Sequence, residues 1–326
     1  MFRHSVFPGL SALTAGLTSV LNGNGTQGGP VAVLDRTPNP YASTFASEIV
    51  TCRLAGANEC RLFCKYGAGP REEVYGHKGG VAYEAAVHRD LLRPLQVCPP
   101  HFYGAYTDGV TGMTWLIRDY LNPGEPLYRR PAVLGLAARW IGCFHSASAA
   151  RLASAPSPFL KVYDADYYLG WARRTSHFAG PLHRRFPWVQ RLCEGFGEVV
   201  ALLTAAPPAV IHGEYYPENI LWYDGKICPI DWESAAVAPG EIDLASLTER
   251  WAGKTVQRCQ HEYLQARWPE GPPTDFERTL AAARLYLNLR WLGDRPEWTT
   301  HKADRWRFKQ VRAAAEQLGL IEKRSP

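Results

Sequence analysis

The residues best suited to chemistry lie in one segment, VIHGEYYPENILWYDGKICPIDW, at residues 210–232. It offers a carboxylate, Glu214, and an amide five residues later, Asn219; a second carboxylate, Asp231, follows after twelve more residues. Asp and Asn supply the oxygen ligands that Mg²⁺ prefers. Phosphoryl transfer needs such a metal, a cation on the phosphate oxygens and a carboxylate near the attacking hydroxyl. The residue types in this segment therefore favour phosphoryl transfer.

A turn signal divides this segment into two short strand-like runs. The dipeptide Asp224-Gly225 stands between them, and such a dipeptide is typical of a β-hairpin. A hairpin brings its two ends together. We therefore expect Asn219, before the first strand, and Asp231, after the second, to converge on one ion with Glu214 beside them.

The two flanks of this hairpin carry a family resemblance. HGEYYPENIL and PIDWESAAVAPGEIDLA resemble the catalytic loop and the metal-binding segment of the aminoglycoside phosphotransferase family, with its pattern H-G-D-x-x-x-x-N and I-D-x-E. The resemblance implies that Glu214 is the catalytic carboxylate and that Asn219 and Asp231 are the magnesium ligands. It also implies that Asp243 is a structural acid that braces the loop. The similarity covers about residues 31–250, with its elements in the family's order.

The same resemblance assigns residues nearer the N-terminus. Lys65, at the end of the strand-like run LFCKY, resembles the lysine that pairs with the ATP phosphates, and Glu84 resembles its ion-pair partner. HSASAA at residues 145–150 resembles the family's L-H-x-x-x element, and His212 takes a structural position. The implied cofactors are ATP, or GTP, and Mg²⁺.

The sequence departs from the family pattern in two places. Glu214 stands where the family has aspartate, which keeps the charge but adds one methylene. Since the carboxylate mainly orients the acceptor in a loose transition state, a glutamate could serve with some adjustment. No G-x-G-x-x-G covers the phosphates; the corresponding turn is NPYASTFAS at residues 39–47, where Ser43 and Thr44 are candidate contacts. An ordinary polar turn is an equally good interpretation of those two residues.

The nucleotide base is expected on the segment that leaves the fifth strand. There it would lie between two lobes and bond to the backbone around Asp119, Tyr120 and Leu121. Because backbone groups make this contact, the side chains at these positions carry little information about it.

The remaining elements must position these residues. Five strand patterns fill the first third of the chain, at residues 31–36, 47–54, 59–66, 101–107 and 113–121. A helix at residues 80–92 interrupts them and must cover one face of the antiparallel sheet. Long helical patterns follow, at residues 131–150, 188–204, 241–252, 255–267, 275–293 and 302–318. With the resemblance, these elements predict an α+β fold, two-lobed and protein-kinase-like, with a five-stranded N-lobe carrying one helix and a mainly helical C-lobe.

These patterns divide the chain into three parts. Residues 1–30 form an N-terminal segment, with a short amphipathic element up to Leu21 and a flexible loop after it. Residues 31–121 form the nucleotide-binding N-lobe, and residues 122–326 form the catalytic and acceptor-binding C-lobe.

Composition excludes several other classes of protein. The chain has 46% hydrophobic and 21% charged residues, as an ordinary globular protein does. Its net charge of +5 is not gathered into a basic stripe with interleaved aromatic residues, so we expect no nucleic-acid partner. Eight cysteines occur without a C-x-x-C pair, which argues against a zinc ribbon or a disulfide framework and favours a reducing cytoplasm. No apolar run is long enough for a membrane span.

The acceptor is less clearly specified. Residues 232–326 contain 15 Lys and Arg against 13 Asp and Glu, whereas a polycationic aminoglycoside calls for an acidic cleft. The leading hypothesis is therefore a kinase acting on a hydroxyl of a small molecule or sugar. Two alternatives remain: a kinase that phosphorylates Ser or Thr of a biosynthetic peptide, and a pseudokinase scaffold, which the glutamate at position 214 favours.

Overall fold

The computed structural model describes residues 7–23, 29–41, 44–54, 59–67, 75–97, 100–155, 157–302 and 305–322. The chain divides into two compact units. The first consists of the residues up to Glu125 together with Leu221–Ser234. The second consists of Pro126–Ile220 and the residues from Ala235 onward.

The first unit is built on a five-stranded antiparallel sheet in the order β1-β2-β3-β5-β4. Its strands are β1 (Ala32–Pro38), β2 (Ala46–Arg53), β3 (Glu59–Gly67), β4 (Phe102–Thr107) and β5 (Thr114–Asp119). This confirms the predicted α+β, kinase-like N-lobe sheet. All five strands lie within about two residues of their predicted positions, because each combines β-branched or aromatic residues with clear turn signals.

Helices cover both faces of this sheet. On one face, helix α2 (Gly80–Ala86) packs Val81 and Ala85 against Leu116 of β5, as expected. It continues directly as a π-helix, Val87–Leu92. On the other face lies helix α1 (Leu10–Gly23), which was predicted only as a short amphipathic element.

Helix α1 is an integral part of the first core. Leu13, Leu17 and Leu21 repeat every four residues and are at most 1% exposed. Gly16 permits this packing, since a Cβ at that position would lie 2.4 Å from the ring of Trp115. The glycine that interrupts the apolar pattern in the sequence is therefore required by close packing.

The predicted hairpin also belongs to the first unit. Strands β9 (Ile220–Tyr223) and β10 (Lys226–Pro229) pair in a small sheet with the short strand β6 (Glu125–Pro126). Asp224 and Gly225 both have positive φ, 47° and 72°, as a type I′ turn requires. The unit thus includes residues 221–234. Within it, Asp231 and Glu233 form ion pairs with Lys65 and Lys78.

The second unit is mainly helical. Its helices are α3 (Leu134–Ser154), α4 (Ala165–Ala179), α5 (Trp188–Glu194), α6 (Gly197–Ala205), α7 (Glu241–Thr248), α8 (Lys254–Arg267), α9 (Phe276–Asp294), α10 (Pro296–Thr300) and α11 (Arg305–Leu318). Helix α4 was not predicted, although Asp164 caps it by accepting a hydrogen bond from the Tyr167 N–H. Over the described residues, no helix is both long and apolar enough to cross a membrane.

A second small sheet supports the loop that follows it. Strand β11 (Ala236–Pro239) pairs in parallel with β7 (Lys161–Val162) and antiparallel with β8 (Pro208–Ile211). Strand β8 ends immediately before His212, and β11 is followed by α7. The antiparallel register places Ile211, the residue before His212, opposite Ala236 at the start of β11. The loop reaches α7 through the side chain of Asp243, which accepts a hydrogen bond from the His212 N–H.

Candidate active site

In the first unit, Lys65 lies at the centre of a buried charge cluster. It occupies β3 opposite Leu116, on the sheet face covered by α2. Its Nζ lies 2.8 Å from Glu84 Oε2 and 2.5 Å from Asp231 Oδ1, and its side chain is 10% exposed. The structure therefore brings together the predicted lysine, its predicted partner and one predicted magnesium ligand.

The second oxygen of Glu84 fixes the backbone beside Asp231. The N–H of Trp232 donates to Glu84 Oε1 over 3.2 Å. Asp231 itself has a φ of 68°, in the left-handed region that residues other than glycine seldom adopt. Backbone strain of this kind persists where neighbouring contacts enforce it, which is common at functional sites.

Two further residues of the cluster were not among the predicted site residues. Glu233, which is fully buried, lies 3.4 Å from Lys65 and 2.5 Å from Lys78. Lys78 Nζ also donates to Thr44 Oγ1 over 3.3 Å. Glu233 could have been found from its position two residues after Asp231, in the acidic position of I-D-x-E. Lys78 stands in the run HKGG, where no motif marks it.

The charges of this cluster suit a divalent cation. Burial alone would lower the pKa of Lys65, but the carboxylates of Asp231, Glu84 and Glu233 raise it well above its usual value. Burial raises the pKa of Glu233, as does the negative charge of Asp231, while both lysines oppose this. Oxygen atoms of the three carboxylates lie within 4.8 Å of one another, close enough to ligate one ion. Oxygen ligands of this type fit Mg²⁺.

The other residues predicted to contact the nucleotide make no direct bond to Lys65 among the contacts of the described residues. Thr44 contacts the cluster through Lys78, whereas Ser43 lies outside the described residues. Asp119 ends β5, and its side chain accepts a hydrogen bond from the Tyr103 hydroxyl over 2.8 Å. Leu121 follows with 6% exposure. Contact of a nucleotide base with the backbone of this segment stays a prediction.

In the second unit, Asp243 organises the start of the predicted catalytic loop. It lies in the first turn of α7 and is fully buried. The backbone N–H groups of His212 and Gly213 donate to its two oxygens over 2.7 and 2.9 Å. Gly213 has a φ of 82°, which favours glycine and explains the His-Gly dipeptide. This geometry is that of a structural acid bracing the loop.

A buried hydrogen-bonded chain supports Asp243 in turn. His145 Nε2 lies 3.1 Å from Asp243 Oδ2, and His145 Nδ1 lies 3.1 Å from the Tyr263 hydroxyl. Arg267 donates to that hydroxyl and pairs with Glu241. Burial lowers the pKa of His145, although Asp243 opposes the shift. The HSASAA element thus contributes a structural histidine.

We expect Asp243→Ala to lower the free energy of unfolding by about 3 kcal/mol or more. The change leaves the buried N–H groups of His212 and Gly213, and the ring of His145, without their hydrogen-bond acceptor. Denaturant unfolding would measure this. Asp164→Ala, which removes only an exposed helix cap, should cost about 1 kcal/mol. Equal losses in the two variants would contradict the bracing role of Asp243.

The loop holds its own functional side chains by local bonds. The Glu214 carbonyl accepts hydrogen bonds from the Tyr216 N–H, over 2.8 Å, and from Asn219 Nδ2, over 3.0 Å. The Tyr215 hydroxyl donates to the Ala137 carbonyl of α3 over 3.0 Å. The Asn219 side chain is thus oriented by its Nδ2 bond to the loop, and its Oδ1 is the atom that could ligate a cation.

Helix α9 contributes a residue that sequence reasoning missed. Arg290 Nη2 lies 3.6 Å from Glu214 Oε1 and donates to the Tyr216 hydroxyl over 3.1 Å. Its neighbour Trp291 donates from Nε1 to the same hydroxyl over 2.5 Å. The signal was absent from the sequence because these residues lie 74 and 75 positions from Tyr216.

Comparison with known proteins identifies the family and the fold of this chain. The model of a phosphotransferase enzyme family matches residues 81–276, more than half of the chain. The fold resembles choline kinase LicA from Streptococcus pneumoniae, with 12% identity, coverage of 95% of this chain and 99% of that one, and a TM-score of 0.58. It also resembles an aminoglycoside 2'-phosphotransferase IIIa bound to GDP, with 12% identity, coverage of 88% of this chain and 93% of that one, and a TM-score of 0.64. A choline/ethanolamine kinase family protein from Mesorhizobium loti is 16% identical, with coverage of 95% of this chain and 96% of that one and a TM-score of 0.58. A search of curated proteins found no match.

Proposed function

Since this chain belongs to the phosphotransferase enzyme family, we propose that it transfers the γ-phosphoryl group of ATP or GTP to a hydroxyl of a small molecule or sugar. The observation that carries this proposal is the buried cluster in which Lys65 contacts both Glu84 and Asp231. A lysine, a carboxylate partner and an acidic cation site are the parts that phosphoryl transfer requires.

Asp231 and Asn219 would hold Mg²⁺, with Glu84 and Glu233 as further carboxylates on the Asp231 side. When bound, Mg²⁺ would neutralise charge on the phosphate oxygens. Asp231 would then serve the ion, and Lys65 would bind the phosphates with Glu84 as the partner that orients it.

Lys78 would add a second positive charge for the phosphates. It shares the Glu233 carboxylate with Lys65 and bonds to Thr44, which belongs to the turn where a glycine-rich loop is missing. Two lysines and a hydroxyl would thus supply contacts that glycine-rich loops supply through backbone N–H groups.

Glu214 would orient the acceptor by accepting a hydrogen bond from its hydroxyl. The bond from the acceptor oxygen to phosphorus forms as the bond from the γ-phosphorus to the β–γ bridging oxygen breaks, and the hydroxyl proton passes to Glu214. Because Glu214 belongs to a loop held by Asp243 and Tyr215, its backbone is fixed before the acceptor binds.

A small-molecule acceptor is favoured over the alternatives. The solved structures with similar folds include choline kinases and aminoglycoside phosphotransferases, which support this class without naming the acceptor here. Incubation with labelled ATP or GTP and Mg²⁺ over a panel of sugars, amino alcohols, aminoglycosides and Ser/Thr peptides tests the proposal. Label in a small molecule supports it, label in a peptide supports the peptide-kinase alternative, and label in no acceptor supports the pseudokinase.

Lys65→Met is expected to weaken nucleotide binding about ten- to 100-fold. Hydrogen bonds to a charged group contribute about 1.5–3 kcal/mol, and each 1.4 kcal/mol is about tenfold in affinity. Calorimetric titration with ATP and Mg²⁺ measures the effect, with melting temperature recorded in parallel. Lys226→Met, an exposed lysine on β10, is the matched control and should bind as wild type does. Equal affinity in the two variants would remove Lys65 from the phosphate site.

A further inference from the structure

The catalytic loop carries glutamate where the family has aspartate, and the structure offers a physical reason. We propose that Arg290 is a positioning residue that holds the longer Glu214 side chain in its working orientation. The inference rests on the proposed function, in which Glu214 orients the acceptor hydroxyl.

Arg290 is built into the second unit as a buried charge. It lies near the end of α9, and its side chain is 3% exposed, against 9% for Glu214. Its Nη2 is 3.6 Å from Glu214 Oε1, which is ion-pair distance but too long for a hydrogen bond. At such burial, charge interactions are much stronger than at the surface. The guanidinium can therefore restrict the orientation of the Glu214 carboxylate without a direct hydrogen bond to it.

Two contacts restrict the guanidinium itself. Nη2 donates to the Tyr216 hydroxyl, which also accepts from Trp291 Nε1. Burial raises the pKa of Tyr216 to about 12, so this hydroxyl stays neutral near physiological pH and can accept both donors. The guanidinium also lies over the Trp291 ring, 4.7 Å from its centroid. Arg290 is thus held from two sides before it acts on Glu214.

The ion-pair distance accounts for glutamate at position 214. An aspartate there would end about 1.5 Å earlier, the length of one carbon–carbon bond. Retraction of the carboxylate by that amount would lengthen the separation from Arg290 from 3.6 Å to about 5 Å, beyond the limit for an ion pair. Glu214 and Arg290 therefore form a matched pair. The extra methylene of glutamate places its carboxylate within ion-pair distance of the guanidinium that α9 supplies.

A positioning role and an acceptor-binding role for Arg290 differ in the kinetic constant that they affect. Its Nη2 donates to Tyr216, and within the described part of the chain its Nε is buried and has no hydrogen-bond partner. A positioning role therefore predicts an effect on kcat with the acceptor KM nearly unchanged. An acceptor-binding role predicts the reverse.

The test compares two ion-paired arginines of the second unit. Arg290→Gln should lower kcat about tenfold or more, on the scale of acid–base assistance, while nucleotide and acceptor KM stay within about threefold; Arg290→Lys should lose less. Arg312 is the control, because it pairs with Glu316 at 2.7 Å within α11 and both side chains are 24% exposed. Arg312→Gln should leave kcat unchanged, and the melting temperature of each variant is recorded in parallel. Transfer would be measured with labelled ATP or GTP, Mg²⁺ and the acceptor that the panel identifies, and with water as acceptor.

A double-mutant cycle tests the pairing directly, and Tyr216→Phe provides a second variant if Arg290→Gln folds poorly. Glu214→Asp alone should lower kcat, and Glu214→Asp combined with Arg290→Gln should cost little more than either change alone, since both remove one interaction. Tyr216→Phe, which removes the hydroxyl that holds the guanidinium, should shift kcat in the same direction.

The possible outcomes separate this inference from the proposed function. Full kcat in Arg290→Gln, unimpaired kcat in Glu214→Asp, or additive losses in the cycle would overturn the pairing while wild-type transfer stands. If Arg290→Gln changed only the KM for the acceptor, Arg290 would be an acceptor-binding residue and not a positioning residue. Absence of wild-type transfer to every acceptor and to water would overturn the proposed function, and the inference with it.

Discussion

Asp231→Ala is expected to reduce magnesium-dependent phosphoryl transfer about 10³-fold or more, the scale on which lost electrostatic stabilisation acts in enzymes. The change removes the carboxylate that lies 2.5 Å from Lys65 and that we propose as a magnesium ligand. It also leaves Lys65 with two carboxylates, Glu84 and Glu233, so the lysine stays paired and the fold should survive. Initial rates over a range of Mg²⁺ concentrations would measure the loss.

A second aspartate of the first unit provides the control. Asp35 is exposed on β1, where it accepts a hydrogen bond from Thr37 over 3.2 Å. Asp35→Ala should transfer phosphate as wild type does. Wild-type turnover in Asp231→Ala, with the same magnesium dependence, would be incompatible with Asp231 as a metal ligand.

Glu214→Gln is expected to lower kcat about 10²-fold or more, because the amide can no longer accept the acceptor's proton. Nucleotide affinity should stay within about threefold, since Lys65, Glu84 and Asp231 are unchanged. The substitution preserves size, so the loop bonds made by the Glu214 backbone should remain. Steady-state kinetics together with nucleotide titration would separate the two effects.

Glu218→Gln is the matched control within the same loop. Its side chain is 48% exposed and lies 3.5 Å from Arg250 at the surface. Surface ion pairs of this kind contribute little, so both kcat and stability should be close to wild type. A kcat in Glu214→Gln as high as in Glu218→Gln would remove Glu214 from catalysis and favour the pseudokinase alternative.

Most of the fold could be predicted because its elements have strong local patterns. The strands of the first unit combine alternation with turn residues, and Asp224-Gly225 defines its hairpin through chemistry specific to that turn. Helix α1 was underestimated because Gly16 looks like an interruption in sequence. Only the packed structure shows that Trp115 occupies the space where a side chain would be.

The candidate site was predictable where a motif concentrates its residues, and much less so where the fold brings distant residues together. Asp231 and Glu214 stand in one short segment, and Lys65 ends an apolar strand in the expected order. Lys78 and Arg290 carry no such signal. Lys78 reaches Glu233 across 155 positions, and Arg290 reaches Tyr216 across 74, so their partners are set by tertiary packing alone.

Formation of a phosphate ester on the acceptor is the most direct measurement of the proposed activity. Phosphorus NMR would follow ATP or GTP, Mg²⁺ and the acceptor panel with wild-type protein, Glu214→Gln, Glu218→Gln and Asp231→Ala. We predict a phosphomonoester signal with wild type and Glu218→Gln that is lost in the other two variants and on chelation of the metal. No ester from any acceptor with wild type, or undiminished ester with Glu214→Gln and Asp231→Ala, would contradict a phosphotransferase that works through these two carboxylates.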